Sequence, residues 1–164
     1  MNRRVSSERS PWETAWAVFA YTDDNHFYYM AFKTNGWELG KVDPAYPGGQ
    51  RFLADDTTVP TPVGTPRRFH IRQQGVTITV KLDDTTLTTF TDTERPYLRG
   101  RIGFYTEDAK VAFDNVSGAI TDDFEGHRPM LLRDGGRIGS MWVAPYTGFG
   151  LAAVASLAAA ERLP

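Results

Sequence analysis

Apolar and aromatic residues fall in short runs from Glu13 to Ile120, and turn-forming residues punctuate the runs. No segment between 12 and 120 repeats its apolar residues at the 3.6 period of a helix. Glu13 to Tyr21 is β-prone and alternates. Asp23-Asp24-Asn25 is turn chemistry, because short Asx side chains bond back to the backbone. His26 to Lys33 is an aromatic strand. Thr34-Asn35-Gly36 contains Asn-Gly, the strongest short hairpin signal, and Trp37 to Val42 is a third strand. A Pro- and Gly-dense loop (43–50) and a short strand at Arg51–Leu53 follow. The three prolines between Thr57 and Pro66 exclude a central strand there. Arg67–Arg72, Val76–Leu82 after a Gln74-Gly75 turn, Leu87–Thr91 after an Asp83-Asp84 turn, Arg101–Thr106 and Lys110–Ile120 complete about eight strands. That spacing predicts an all-β antiparallel sandwich or barrel.

The ends differ from the middle. Residues 1–11 are polar, close on Pro11 and read as a flexible arm. After Ile120 a polar stretch runs to Arg137, Met141 to Phe149 suits a strand, and alanine-rich Leu151 to Leu163 reads as a short helix that needs packing to be stable. The predicted division is therefore an arm (1–11), a sandwich (12–120) and a tail (121–164).

Register decides which side chains of the first three strands share a face. With turns centred on Asp24 and Asn35, one face holds Phe19, Tyr21, Phe27, Tyr29, Lys33, Trp37, Leu39 and Lys41. The other holds Trp16, Val18, Ala20, Tyr28, Met30, Phe32, Glu38 and Val42, and reads as the core. The first mixes large aromatics with two lysines. Aromatic rings accept the C–H face of a sugar while donors bind its hydroxyls, and lysines attract carboxylated or sulfated glycans. Tyr21, Tyr29, Lys33, Trp37 and Lys41 are the carbohydrate-binding candidates; plain sheet packing is the competing reading.

Composition narrows the classes. Apolar residues are 41% and aromatics 13%, so the chain can build a core. A net charge of -2 predicts no nucleic-acid partner. Cysteine is absent, which excludes disulfides, thiol catalysis and cysteine metal sites. The longest apolar tract, Leu151 to Ala160, is half the roughly 20 residues of a membrane span, so no membrane partner is expected. The basic N-terminus lacks the apolar region of a signal peptide. The histidines 26, 70 and 127 are scattered, without the convergent spacing of a metal site. No G-x-S-x-G motif occurs.

Residues 12–41 (WETAWAVFAYTDDNHFYYMAFKTNGWELGK), 67–84 (RRFHIRQQGVTITVKLDD) and 100–117 (GRIGFYTEDAKVAFDNVS) together resemble the concanavalin A-like lectin/glucanase superfamily. The closest likeness is to bacterial jelly-roll domains of the family-16 glycoside-hydrolase-like or laminin-G-like kind. In these the middle segment is a hairpin with an Asn-Gly or Asp-Gly turn, here Asp83-Asp84-Thr85, and the last resembles the closing "F-D-N-V" strands. The resemblance implies a concanavalin A-like jelly roll lacking its N-terminal strand. It also implies an extracellular location, and one structural calcium ion bound near the terminal strand with Asp114 as ligand. Thr121-Asp122-Asp123-Phe124, with Trp142 and Tyr146-Thr147-Gly148, resembles the opening of a second sandwich, so the chain is expected to be a fragment.

The glucanase branch carries E-x-D-x-x-E on one strand; that motif is absent here, and no catalytic residue is assigned. The functional expectation is a non-catalytic carbohydrate-binding module, one part of a larger exported bacterial polysaccharide-acting protein, with a polysaccharide or glycan as partner. A polysaccharide lyase or glycoside hydrolase fragment, and a structural or adhesive sandwich without a small ligand, are the alternatives.

Overall fold

The computed structural model describes residues 14–107, 109–118, 130–134, 137–141, 146–147 and 149–159, with side chains for 14–106 and 111–113. Its strands are β1 (Thr14–Asp23), β2 (His26–Lys33), β3 (Gly36–Val42), β4 (Gln50–Asp56), β5 (Arg67–Gln74), β6 (Thr77–Leu82) and β7 (Thr85–Thr91). Then come β8 (Arg99–Glu107), β9 (Ala109–Gly118), β10 (Met130–Asp134), β11 (Arg137–Met141), β12 (Tyr146–Thr147) and β13 (Phe149–Ala159). Two antiparallel sheets form a sandwich. The first runs β12-β8-β1-β2-β3-β4, the second β7-β6-β5-β13-β9, and β10 and β11 make a separate hairpin. Among the described residues no helix is long and apolar enough to cross a membrane.

The core lies between the sheets. Phe19, Tyr28, Met30, Phe32 and Leu39 of the first sheet face Phe69, Ile71, Ile78, Val80 and Leu82 of the second, all buried. Phe32 meets Phe69 at a ring distance of 4.8 Å, and Phe104 stacks on Phe113 at 4.4 Å. Each such aromatic removes a large apolar area from water, the main source of stability in a sandwich of this size.

Three expectations fail, each for a local reason. The second hairpin has a two-residue loop, Thr34–Asn35, closed by Lys33 opposite Gly36. Asn35 keeps an ordinary dihedral, and it is Gly36, at φ 138°, that takes the unusual one beside the Asp56 carbonyl. The register therefore slips by one: Phe32 faces Trp37, Met30 faces Leu39 and Tyr28 faces Lys41. The first hairpin also has a two-residue loop, with Asp23 opposite His26. A bulge between Phe19 and Asp23, with Ala20 at φ 48°, puts Phe19 opposite Tyr28. Because side chains alternate, the slips invert the predicted faces of β3 and of β1 up to Phe19 relative to β2, while beyond the bulge Tyr21 keeps its predicted place beside Tyr29.

The third concerns the tail. The alanine-rich segment predicted as a helix is strand β13, held between β5 and β9. Two antiparallel partners satisfy its backbone on both sides, which outweighs alanine's helix preference. Strand β12 pairs with Arg99 and Gly100 of β8. Backbone pairing thus crosses the boundary drawn after residue 120. The predicted arm (1–11), Asp122 to Phe124, His127 and Trp142 lie outside the described residues.

The Asp83-Asp84 turn behaves as its chemistry predicts. Both residues have positive φ, 45° and 70°, as a two-residue hairpin loop between Leu82 and Thr85 requires.

Candidate functional site

The five sequence candidates divide between two environments. Trp37 and Lys41 point inward. Trp37 belongs to the core, and Lys41 is 0% exposed. The Lys41 ammonium donates to Asp92 Oδ2 at 2.7 Å and to the carbonyls of Glu94 and Arg95. Tyr28 donates to the same Asp92 oxygen, and the Tyr97 ring lies 4.7 Å from the ammonium. Burial pushes the Asp92 carboxyl up, but hydrogen bonds from Lys41 and Tyr28 outweigh it and hold it below the usual value. Asp43 and Arg95 pair nearby at 3.1 Å, and Tyr97 donates to the Val42 carbonyl. Together these contacts clamp the β7–β8 loop onto β3.

Tyr21, Tyr29 and Lys33 lie on the outward face of the first sheet. There Val18, Tyr21, Tyr29, Ala31 and Tyr105 form a second apolar cluster, flanked by Trp16, Phe27 and Val42. The Trp16 ring is 4.5 Å from Tyr29 and meets Tyr105 edge-on at 5.5 Å. Its indole N–H finds no acceptor among the described residues. Tyr21 donates to Asp24 at 2.6 Å; burial first, then this bond, push its hydroxyl up to about 12.

Register builds rows across this face. Tyr105, Trp16, Ala31, Glu38 and Asp55 form one, and Gly103, Val18, Tyr29, Gly40 and Phe52 the next. Tyr29 is 0% exposed because its ring lies across Gly40, where a Cβ would collide with it. Glycine is required there by the close approach. Its hydroxyl donates to Glu38 Oε1 at 2.9 Å and accepts from the Gln50 amide. Lys33 closes the chain with a 2.8 Å bond to Glu38 Oε2. Burial, then the Glu38 charge, push the Tyr29 hydroxyl well above its usual value. At the β4 end Phe52 is 62% exposed.

Among the described residues the face is thus an aromatic floor with Phe52 as its solvent-facing ring, and a polar rim of Glu38, Gln50, Lys33 and Asp55. Sequence reasoning missed Trp16, Glu38, Gln50 and Phe52. Alternation on β2 puts Tyr29 and Lys33 on one face, but their partners on β3 and β4 depend on the hairpin register. Both lysines of the candidate set are already engaged, Lys41 by Asp92 and Lys33 by Glu38.

Asp114 stands on β9 with Val154 of β13 opposite it in the ladder. Its side chain lies outside the described residues. Among the described residues no three His, Asp or Glu side chains gather as metal ligands.

Fold and face define the class: an all-β, two-sheet antiparallel sandwich with an aromatic patch on the outside of one sheet. No family model matches the chain, and no curated protein or solved structure matches it either.

Proposed function

We propose that this chain is a non-catalytic carbohydrate-binding module of the concanavalin A-like jelly-roll kind, acting within a larger exported polysaccharide-acting protein. The observation that carries the reading is the outward patch of the first sheet. An exposed ring, Phe52, stands beside a buried aromatic floor, and carboxylate and amide groups border it. Sugars are held this way, with the C–H face on a ring and hydroxyls bonded at the rim. With Lys33 committed to Glu38 and Lys41 buried, the patch suits a neutral glycan better than an acidic one.

The test is binding of the full chain to a panel of neutral polysaccharides by affinity electrophoresis. Phe52→Ala leaves an exposed site and a stable fold, and is expected to weaken binding about tenfold. Trp16→Ala is expected to weaken it further. No neutral glycan retarding the parent, or Phe52→Ala binding as the parent does, would sink the reading.

One observation favours a second reading, glycoside hydrolysis. Glu38 and Asp55 are direct cross-strand partners on this face. Adjacent carboxylates on one face are the pair of groups that glycoside hydrolysis uses as acid and nucleophile. Reducing-sugar release that Glu38→Gln abolishes without loss of binding would replace the first reading by this one.

A further inference from the structure

The outward face of the second sheet has the opposite character. Along β5, Phe69, Ile71 and Gln73 are buried, while Arg68, His70, Arg72 and Gln74 are exposed. Residues two apart on a strand lie about 6.7 Å apart, so Arg68, His70 and Arg72 form an evenly spaced outward row. On β6 the outward positions are Thr77, Thr79 and Lys81, with Lys81 directly opposite His70 and Thr79 opposite Arg72. On β7, Thr91 and Thr89 stand opposite Thr77 and Thr79, their hydroxyls 3.2 and 3.3 Å apart.

Charge is segregated on this face. The chain as a whole carries -2. Yet none of the outward residues just named is acidic. On the other side of β5 the register sets Gly150, Ala152 and Val154 of β13 opposite Arg72, His70 and Arg68, so that strand supplies no carboxylate either. Two acids border the row at its Arg68 end: Asp83 at the hairpin, which pairs with Arg67 and accepts the Arg68 backbone N–H, and Asp114 of β9, which the ladder sets beyond Val154 in line with Arg68. Among the described residues, Arg72 and Lys81 make no ion pair. Cations such as Arg72 and Lys81, gathered on one face without an ion-pair partner, cost stability through mutual repulsion, and an anionic partner relieves that cost.

We propose that this face is a docking surface for an anionic polysaccharide, with Arg68, Arg72 and Lys81 meeting its carboxylates or sulfates and the threonine hydroxyls bonding its ring oxygens. This goes beyond the module reading, which concerns the opposite sheet and a neutral glycan. The evenly spaced row suits a linear polymer with regularly repeated charge. Single-stranded nucleic acid is the poorer fit, because among the described residues His70 is the one outward ring on this face, too few for the successive base stacking such strands use.

The experiment is retention of the full chain on immobilised dextran sulfate and on immobilised polygalacturonate at low salt. Retention on at least one matrix, reversed by added salt, is expected, since the contact is ionic. The matrix that retains the chain identifies sulfate or carboxylate as the group bound. Arg72→Glu/Lys81→Glu should weaken binding more than tenfold, while Phe52→Ala should leave it unchanged. An unchanged unfolding midpoint in the double variant shows that folding is not the cause. Passage of the parent through both columns, a double variant retained as firmly as the parent, or equal competition by duplex DNA of matched charge would overturn the proposal. Loss of neutral-glycan binding in Phe52→Ala alone tests the first reading separately, so the two fail independently.

Discussion

The outward faces of the two sheets are built on different rules. On the second sheet β5 alternates strictly, so its outward face is polar, cationic and open. On the first sheet the outward face is apolar as well: Val18, Tyr29 and Ala31 are as buried as the core residues behind them. A strand with one wet face announces its register through its own sequence. A strand with two apolar faces does not, and its register is left to the loops that close it. β2 and β3 are of this second kind, and a two-residue loop in place of a three-residue one exchanged their predicted partners.

The contrast can be broken most severely at its two lysines. Lys41, sealed inside the first sheet, and Lys81, exposed on the second, are the same residue in opposite settings. Lys41→Ala leaves Asp92 charged, buried and unpaired, and is expected to cost about 3–5 kcal/mol in denaturant unfolding. Lys81→Ala is expected to stay within about 0.5 kcal/mol. Equal effects would mean that the buried clamp carries no special weight.

Gly40 sharpens the comparison on the outward face of the first sheet. Gly40→Ala drives a methyl group into the Tyr29 ring and is expected to cost about 1–3 kcal/mol, as overpacking does. Because Tyr29 also anchors Glu38 and Gln50, neutral-glycan binding should fall with it. Gly75→Ala, at a turn of the second sheet with no neighbour within 4 Å of an added Cβ, tests only the strain of its 56° φ. It should leave glycan binding untouched.

Acid provides a smaller and more gradual test. The folded Asp92 carboxyl lies below its ordinary value of 3.8. A carboxyl depressed by folding contributes stability that is complete above the unfolded value and is lost as pH falls through the folded one. Thermal stability should therefore decline as pH drops below about 4. Asp92→Asn should remove part of that decline, at the cost of a weaker clamp at neutral pH. A pH profile identical to the parent's would show that other carboxylates dominate.

Much of the architecture was legible in the chain. The turns at Asp24-Asn25, Gly75 and Asp83-Asp84 announce themselves through residues that tolerate tight dihedrals, and β5, β6 and β7 begin or end within a few residues of their predicted limits. The candidate site was legible only in part. Tyr21, Tyr29 and Lys33 do share an outward face, but Trp37 and Lys41 turn inward. Their partners could not be chosen from a strand in which nearly every residue is apolar or aromatic. Phe52 and Gln50 enter the site through β4, whose pairing with β3 carries a further bulge after Leu39.

The sequence alone determined that this protein is β-structured and where its hairpins turn, because propensity and turn chemistry act over a few residues. Only the tertiary structure decided the rest. It set the register of the aromatic strands, sealed Lys41 against Asp92 fifty-one positions away, and drew the alanine-rich tail into the second sheet as β13. Those outcomes depend on backbone pairing and charge compensation between segments far apart in the chain, and no local pattern encodes them.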